Sequence, residues 1–120
     1  PNKKEFEKLF GLEGNGDAAR DLAERFGITI LLKGETDYVC SPGEGIEITG
    51  GNAGMTKGGT GDILAGLTAA FYAKNDAFIS AACASFINKK AGESLEKRVG
   101  IYFNASDLVE EIPKVLKKLL

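Results

Sequence analysis

The chain has 120 residues, 43% of them hydrophobic and 27% charged, with a formal net charge of −2. This length fits one domain or a piece of one. The charges are interspersed and form no basic patch, so we expect no nucleic-acid partner. Without a long apolar run or a signal peptide, we expect no membrane role. The absence of histidine excludes Ser-His-Asp catalysis and histidine-based metal sites.

The first residue and the two cysteines lead to two further expectations. The first residue is Pro1 rather than Met, so we expect the chain to begin inside a longer gene product or after processing. Cys40 and Cys83 lie in apolar stretches without metal-ligand spacing. Two such thiols predict reduced, buried residues in a cytoplasmic protein.

The N-terminal part of the chain predicts two helices and a strand. Residues 1–12 indicate a turn followed by a short helix. Asp17 is expected to cap a second helix that runs to Phe26. Ile28–Leu32 is a continuous apolar run, which is typical of a strand buried on both faces in a parallel sheet.

The C-terminal part predicts a hairpin followed by three helices. Asn104 or Ser106 is expected to cap the last helix, in which Pro113 should kink or restart the helix. The other predicted elements are strands over Thr36–Cys40 and Gly45–Thr49, a turn at residues 41–43, and helices over Ile63–Lys74 and Phe78–Arg98. The pattern as a whole indicates an α/β fold.

Glycines concentrate in one stretch, because eight of the 16 fall between Gly43 and Gly61. Residues 58–62, Gly-Gly-Thr-Gly-Asp, come directly before a predicted helix. Glycines let the backbone turn sharply, and the helix start adds unpaired N–H groups and the positive end of its dipole. The stretch therefore predicts a site for a phosphate or another anion. It is not a Walker A loop, since Lys57 precedes the glycines and no Gly-Lys-Ser/Thr follows.

Asp62 has two possible roles at this position. Its carboxylate could cap the helix and complement the helix dipole. It could instead act as a general base beside the anion, taking a proton from a hydroxyl that attacks a phosphoryl group. Nearby, Lys57 is a candidate for a phosphate contact, whereas Met55 is expected to pack in the interior.

Residues 52–66, Asn-Ala-Gly-Met-Thr-Lys-Gly-Gly-Thr-Gly-Asp-Ile-Leu-Ala-Gly, resemble the signature of the NAD(P)H-hydrate dehydratases, a family of ribokinase-like fold. The Gly-Thr-Gly-Asp portion is shared across ribokinase-like kinases, and the Asn-x-Gly-Met lead-in and double glycine are more specific to the dehydratases. Residues 1–6, 31–34 and 104–108 resemble further family elements in the same order. The resemblance implies a mostly parallel sheet covered by helices, with residues 1–120 forming the C-terminal nucleotide-binding and catalytic portion of the domain.

The resemblance also implies an activity and a set of site residues. The reaction would be the ADP- or ATP-dependent dehydration of hydrated NAD(P)H back to NAD(P)H, with Mg²⁺ as a further cofactor. We expect the chain to need the N-terminal remainder of the domain and to form a homo-oligomer. The implied roles are Asp62 as base and substrate contact, Gly59, Thr60 and Gly61 as anion hole, Lys33, Gly34, Glu35, Thr36, Asp37 and Gly61 at the nucleotide, Asn2 at the substrate, and Glu5 as an indirect magnesium ligand.

Two other functions are compatible with the same residues. A small-molecule kinase of this fold, acting on a vitamin precursor or a sugar, would use Asp62 in the same way but release a stable phosphate ester. A non-catalytic nucleotide-binding module would use the glycine-rich turn alone. The lead-in at residues 52–59 favours the dehydratase, and a pure binding loop does not need a carboxylate beside the phosphates.

Overall fold

Three short strands form one sheet, with five α-helices around it, in the computed structural model, which describes residues 1–120. A short 3₁₀ turn covers Ala53–Thr56. No helix combines the length and the apolar character that a bilayer crossing would require. The elements are α1 (Lys3–Phe10), α2 (Gly16–Phe26), β1 (Ile30–Leu32), β2 (Asp37–Ser41), β3 (Glu44–Ile48), α3 (Thr60–Tyr72), α4 (Ala77–Val99) and α5 (Ala105–Leu119).

The sheet has the order β1-β2-β3, and both strand pairs are antiparallel. The expectation of a mostly parallel sheet is therefore wrong for these three strands. The connections between them are short, and a short turn can only return the chain antiparallel to itself, whereas parallel neighbours need a long crossover. Gly43, with a φ of +77°, makes the tight turn from β2 to β3 that the sequence predicted. A parallel bridge does join Asn2 to Lys33.

Each face of the sheet is covered by helices. On one face, Ile30, Leu32 and Cys40 pack with α1 and α2, where Phe6 is fully buried. On the other face, Val39 packs against α4. Burial of a side chain the size of Phe or Leu stabilises a fold by about 1.5–3 kcal/mol. A further cluster joins the 3₁₀ turn, α4 and α5, through Met55, Ala91, Leu95, Phe103, Leu108 and Val115.

The helix boundaries agree with the sequence in part. Asn15, not Asp17, caps α2, because its side-chain oxygen accepts a hydrogen bond from the N–H of Ala18 at 2.8 Å. The predicted cap of the last helix at Asn104 is confirmed. Pro113 lies inside α5 and neither ends nor restarts it, since proline removes one backbone donor while the neighbouring turns continue.

The two cysteines differ in environment. Cys40 is buried as predicted, and burial raises the pKa of its thiol, against the opposing effect of the Arg20 charge. The prediction that Cys83 is buried was wrong. Cys83 lies on α4 between the buried residues Ala81 and Ala84, on the side of the helix that faces solvent.

Helix α3 has an unusual exposure for its composition. Most of its residues are apolar or small, yet only Thr60 and Leu64 are buried. Tyr72 at its end is 60% exposed. The small and apolar side chains of α3 therefore remain largely uncovered in this chain.

Candidate functional site

The glycine-rich turn and the start of α3 form one wall of a cleft of about 830 Å³. The residues before α1, Glu5 in α1 and residues of β1 and its ends also line this cleft. The cleft thereby brings together Asn2, Glu5, Lys33 and Asp62, which are far apart in the chain and were each predicted as site residues. The parallel bridge between Asn2 and Lys33 fixes the two N-terminal contributions next to each other.

The backbone of the turn leaves several N–H groups free. Gly59 is the N-cap of α3 with a φ of +89°, a left-handed conformation that favours glycine. The amides of Gly58, Gly59, Gly61 and Asp62 have no acceptor in the structure. The amides of Gly61 and Asp62 belong to the first turn of α3, and those of Gly58 and Gly59 directly precede it. Unpaired N–H groups and the helix dipole attract an anion at such a helix start.

Thr60 contributes to this turn in a different way from its glycine neighbours. Its hydroxyl lies within hydrogen-bonding distance of two carbonyls, those of Met55 at 2.7 Å and Lys57 at 2.8 Å, and its single hydrogen is donated to one or shared between them. Its N–H contacts the carbonyl of Lys57 at 3.3 Å. The side chain therefore anchors the turn to the preceding 3₁₀ segment.

Asp62 is exposed in the cleft and has no hydrogen bond or ion pair within the chain. It occupies the first turn of α3, but α3 has no side-chain cap. The Asp62 carboxylate therefore makes no capping hydrogen bond, although its place in the first turn still complements the helix dipole. Its role as a base stays a prediction. A carboxylate without a protein partner, beside free amides in a cleft, has its oxygens available to a ligand.

Lys57 and Met55 both contact the C-terminal part of the chain. The Lys57 ammonium donates to the carbonyls of Ile101 and Phe103, the latter at 2.6 Å, and lies 5.0 Å from the centre of the Phe103 ring. These two contacts fix the segment before α5 and use two of the three donors of the ammonium, and Lys57 also lines the first cleft, so its phosphate contact stays a prediction. Met55 is 7% exposed and packs against α4 and α5, which confirms its predicted role.

A second cleft, of about 930 Å³, adjoins the first. Its walls are the segment Lys33–Asp37 and residues 49–53, and α4 contributes Asn88 and Lys89. The two clefts share Asn2, Lys33 and Thr56 as lining residues. The segment predicted to line a nucleotide thus lies beside the anion-accepting turn, across Lys33.

Within that segment, the carboxylate of Asp37 is committed to the protein. Asp37 is 2% exposed and accepts hydrogen bonds from the N–H of Gly34 at 2.9 Å and the hydroxyl of Ser85 at 2.7 Å. Its hydrogen bond to Gly34 closes the turn between Gly34 and Asp37. Lys33 extends its ammonium to 3.4 Å from the Met55 carbonyl, which links the loop to the glycine-rich region.

Asn2 and Glu5 form a reciprocal capping box at the start of α1. The Asn2 side chain accepts from the N–H of Glu5, and the Glu5 carboxylate accepts from the N–H of Asn2, both at 2.9 Å. One Glu5 oxygen is thereby occupied, and the other is free in the cleft. No group of three His, Cys, Asp or Glu side chains converges as a metal cage. A magnesium ion would fit here as the partner of nucleotide phosphates, which is how Mg²⁺ usually binds with one or two carboxylates.

Two residues of α4 that line the second cleft, Asn88 and Lys89, were not predicted from the sequence. Together with Ser85 they are buried on one side of the helix. The oxygen of the Asn88 side chain has no partner. The available signal was the placement of Ser85 and Lys89 four residues apart, on the face that also carries the small residues Ala81 and Ala84.

Comparison with known proteins defines the class of this arrangement. A ribokinase-like superfamily protein of Enterococcus faecalis is similar over 98% of this chain and 43% of its own, with a TM-score of 0.82 and 29% identity. The ADP/ATP-dependent NAD(P)H-hydrate dehydratase of Bacillus subtilis, co-crystallised with ATP and Mg²⁺, is similar in fold with a TM-score of 0.93 at 23% identity, over 100% of this chain and 47% of that one. The chain therefore has a ribokinase-like fold.

The family follows from the sequence comparisons. A family model described as NAD(P)H-hydrate dehydratase matches residues 1–114, and the chain belongs to this family. It is 46% identical over 117 residues to the bifunctional NAD(P)H-hydrate repair enzyme of Methanocaldococcus jannaschii, and 40% identical over 124 residues to the ADP-dependent (S)-NAD(P)H-hydrate dehydratase of Cenarchaeum symbiosum. Each alignment covers 98% of this chain, which spans 22% of the first relative and 43% of the second.

Proposed function

We propose that this chain forms the catalytic and nucleotide-binding part of an ADP- or ATP-dependent NAD(P)H-hydrate dehydratase. The observation that carries the proposal is the unpaired carboxylate of Asp62 beside the free amides of the glycine-rich turn. The family match over residues 1–114 supports the substrate. The named activity of the relative from Cenarchaeum symbiosum supports ADP as the nucleotide.

The proposed chemistry removes water by first turning a hydroxyl into a better leaving group. Asp62 takes the proton of the carbinol hydroxyl on the hydrated nicotinamide ring, and the hydroxyl oxygen attacks the terminal phosphorus of the nucleotide. The bond from that phosphorus to the bridging oxygen breaks, which releases the shortened nucleotide. The ring nitrogen lone pair then expels phosphate, and loss of a proton from the adjacent ring carbon restores the double bond. General-base assistance of this kind contributes about 10²–10⁴ in rate.

The two clefts suggest how the nucleotide lies. Its terminal phosphate would bind the amides of Gly59, Gly61 and Asp62, where donors preorganised for an anion stabilise developing charge. The remainder would extend past Lys33 into the second cleft, along the segment 33–37. Mg²⁺, held by the phosphates with the free oxygen of Glu5 near it through water, would neutralise phosphate charge. Asn2 would contact the substrate within the first cleft.

We further propose that the rest of the family domain covers the apolar face of α3. Only Thr60 and Leu64 of this helix are buried, and the chain spans less than half the length of the relatives compared above. In this arrangement the other part of the domain supplies the parallel strands expected from the resemblance and completes the substrate pocket. The assembly would be a homo-oligomer in the cytoplasm, a compartment in which free thiols such as Cys40 and Cys83 are typical.

A ribokinase-like kinase is the second candidate, since Asp62 and the anion-accepting turn would serve a stable alcohol equally well. Nucleotide consumption measured with and without hydrated NADH separates the functions. The proposal predicts nucleotide consumption that depends on hydrated NADH and yields equal amounts of NADH and inorganic phosphate. A stable phosphate ester as product would identify a kinase. Binding without any consumption would identify a non-catalytic module.

A further inference from the structure

The ammonium of Lys89 is buried in a cage of oxygen atoms beneath the second cleft. Lys89 is 6% exposed. Its Nζ donates to the carbonyl of Glu35 at 2.9 Å, to that of Gly34 at 3.3 Å and to that of Gly50 at 3.4 Å, and lies 3.5 Å from the carboxylate of Asp37. All the oxygens around it belong to the protein, so this cation has no capacity left for direct contact with a ligand.

The oxygens come from two segments that both line the second cleft. Gly34, Glu35 and Asp37 follow β1, and Gly50 follows β3. Lys89 therefore ties both loops to one point on α4. Ser85, one helical turn earlier on the same face, holds Asp37 at 2.7 Å.

The direction of the Gly34 and Glu35 carbonyls also fixes the direction of the N–H groups that follow them. In a planar trans peptide, the C=O and the following N–H point in opposite directions. Because the carbonyls of Gly34 and Glu35 point at Lys89, the N–H groups of Glu35 and Thr36 point away from it. Neither N–H has an acceptor in the structure, and both residues line the cleft.

We propose that Lys89 is a positioning residue for nucleotide binding. Its ammonium orients the peptides of residues 34–36 so that the N–H groups of Glu35 and Thr36 are presented to oxygen acceptors of the nucleotide. This inference rests on the proposed function for the identity of the ligand. The orientation of the loop itself does not depend on that function.

The test compares Lys89→Ala with Lys90→Ala in the complete gene product. Lys90 is the adjacent lysine, with a side chain 43% exposed and paired to Glu93 outside the cage. We expect ADP affinity, measured by calorimetry, to fall about tenfold or more in Lys89→Ala and to stay unchanged in Lys90→Ala. Lys89→Arg should retain part of the affinity because it retains a charged donor. In turnover assays the nucleotide KM should rise with little change in kcat.

Two measurements distinguish positioning from a general loss of structure. Propylammonium, which can refill the cage, should restore ADP affinity to Lys89→Ala, while tetramethylammonium at the same ionic strength should not, because it has no N–H donors. Hydrogen exchange at the hydrogen-bonded amides of Gly34 and Gly51 should accelerate in Lys89→Ala without any nucleotide present. If Lys89→Ala does not fold, Lys89→Met replaces it, because methionine retains the aliphatic volume. The same fall in ADP affinity and the same faster hydrogen exchange at Gly34 and Gly51 are then expected of Lys89→Met.

The outcomes separate this inference from the function on which it rests. Unchanged ADP affinity in Lys89→Ala, with normal binding by the unmodified protein, overturns the inference and leaves the proposed function intact. Failure of the unmodified protein to bind ADP or ATP overturns the proposed function, and the exchange at Gly34 and Gly51 then decides whether Lys89 orders the loops. Unchanged exchange at both amides rejects the positioning role in either case.

Discussion

Asn2 and Lys33 are joined by a parallel β-bridge, in which the N–H of Lys33 donates to the carbonyl of Pro1 at 2.8 Å. This contact sets the start of α1 against the end of β1. It places the capping box of Asn2 and Glu5 beside Lys33 in the cleft that Asp62 also lines. This backbone contact thus joins two of the three parts of the chain that form the cleft.

Replacing Asn2 should affect both stability and the site. Asn2→Ala removes the cap of α1, for which we expect a loss of about 1 kcal/mol of folding free energy. Asn15→Ala is the matched control, because Asn15 caps α2 in the same way but lies outside both clefts. Denaturant unfolding should show similar losses for the two variants, whereas only Asn2→Ala should raise the KM for hydrated NADH. An equal effect of both variants on KM would remove Asn2 from the substrate site.

The glycines of the turn should separate into those required for folding and those required for binding. Gly59→Ala should destabilise the protein by about 1–3 kcal/mol, because φ is +89° there and the new Cβ would lie 3.0 Å from Ala105. Gly61, in contrast, does not have a positive φ. A Cβ added there would meet no atom within 4 Å. Gly61→Ala should therefore melt normally but bind nucleotide more weakly. Unchanged nucleotide affinity in a calorimetric titration would argue that no ligand approaches Gly61.

The contrast between these glycines shows what the sequence could and could not predict. The Gly-Gly-Thr-Gly-Asp stretch predicted a turn, a helix start and an anion site, because glycine and helix termini have local physical consequences. The contacts of the Lys57 ammonium with the carbonyls of Ile101 and Phe103 and the oxygen cage around Lys89 could not be predicted, since both depend on carbonyls distant in sequence. The antiparallel pairing of β1 with β2 also depends on tertiary contacts, because an apolar run alone does not specify the direction of its neighbour.

Acid should weaken the contact between α4 and α5 through Glu111. Burial raises the pKa of this carboxyl, but hydrogen bonds from Ser94 and Lys114 and the charges of Arg98 and Lys114 outweigh burial, so its pKa in the folded state is lowered. As pH falls below the ordinary pKa of a glutamate, Glu111 becomes protonated in the unfolded chain but stays ionised in the folded one. The stabilisation is thus present above that pH and is lost as pH falls through the lowered value.

Thermal unfolding at a series of acidic pH values tests this contribution. Glu111→Gln should be less stable than the unmodified chain at neutral pH, and its stability should fall less steeply in acid. Glu110→Gln, at an exposed neighbouring position of α5, is the control and should retain the original pH dependence. Parallel pH profiles for the unmodified chain and Glu111→Gln would contradict the assignment.

The exposed apolar face of α3 predicts how residues 1–120 behave alone. Burial of apolar surface stabilises a fold by roughly 25 cal/mol per Å², so an uncovered face favours association with any apolar partner. We expect the isolated 120 residues to self-associate in size-exclusion chromatography and to lack dehydratase activity. A monodisperse, fully active monomer would show that this segment needs no further part of the domain.

The turnover of Asp62→Asn tests the central claim most directly. The substitution retains the shape of the side chain and removes its capacity as a base, and the Asp62 carboxylate makes no capping hydrogen bond that would be lost. Asp17→Asn, an exposed carboxylate in the first turn of α2, is the matched control. In the complete gene product we predict that Asp62→Asn lowers the rate of NADH recovery from hydrated NADH by about 10²–10⁴, with ADP affinity and melting temperature retained, while Asp17→Asn behaves as the unmodified enzyme. Turnover of Asp62→Asn close to that of Asp17→Asn would contradict the assignment of Asp62 as the catalytic base.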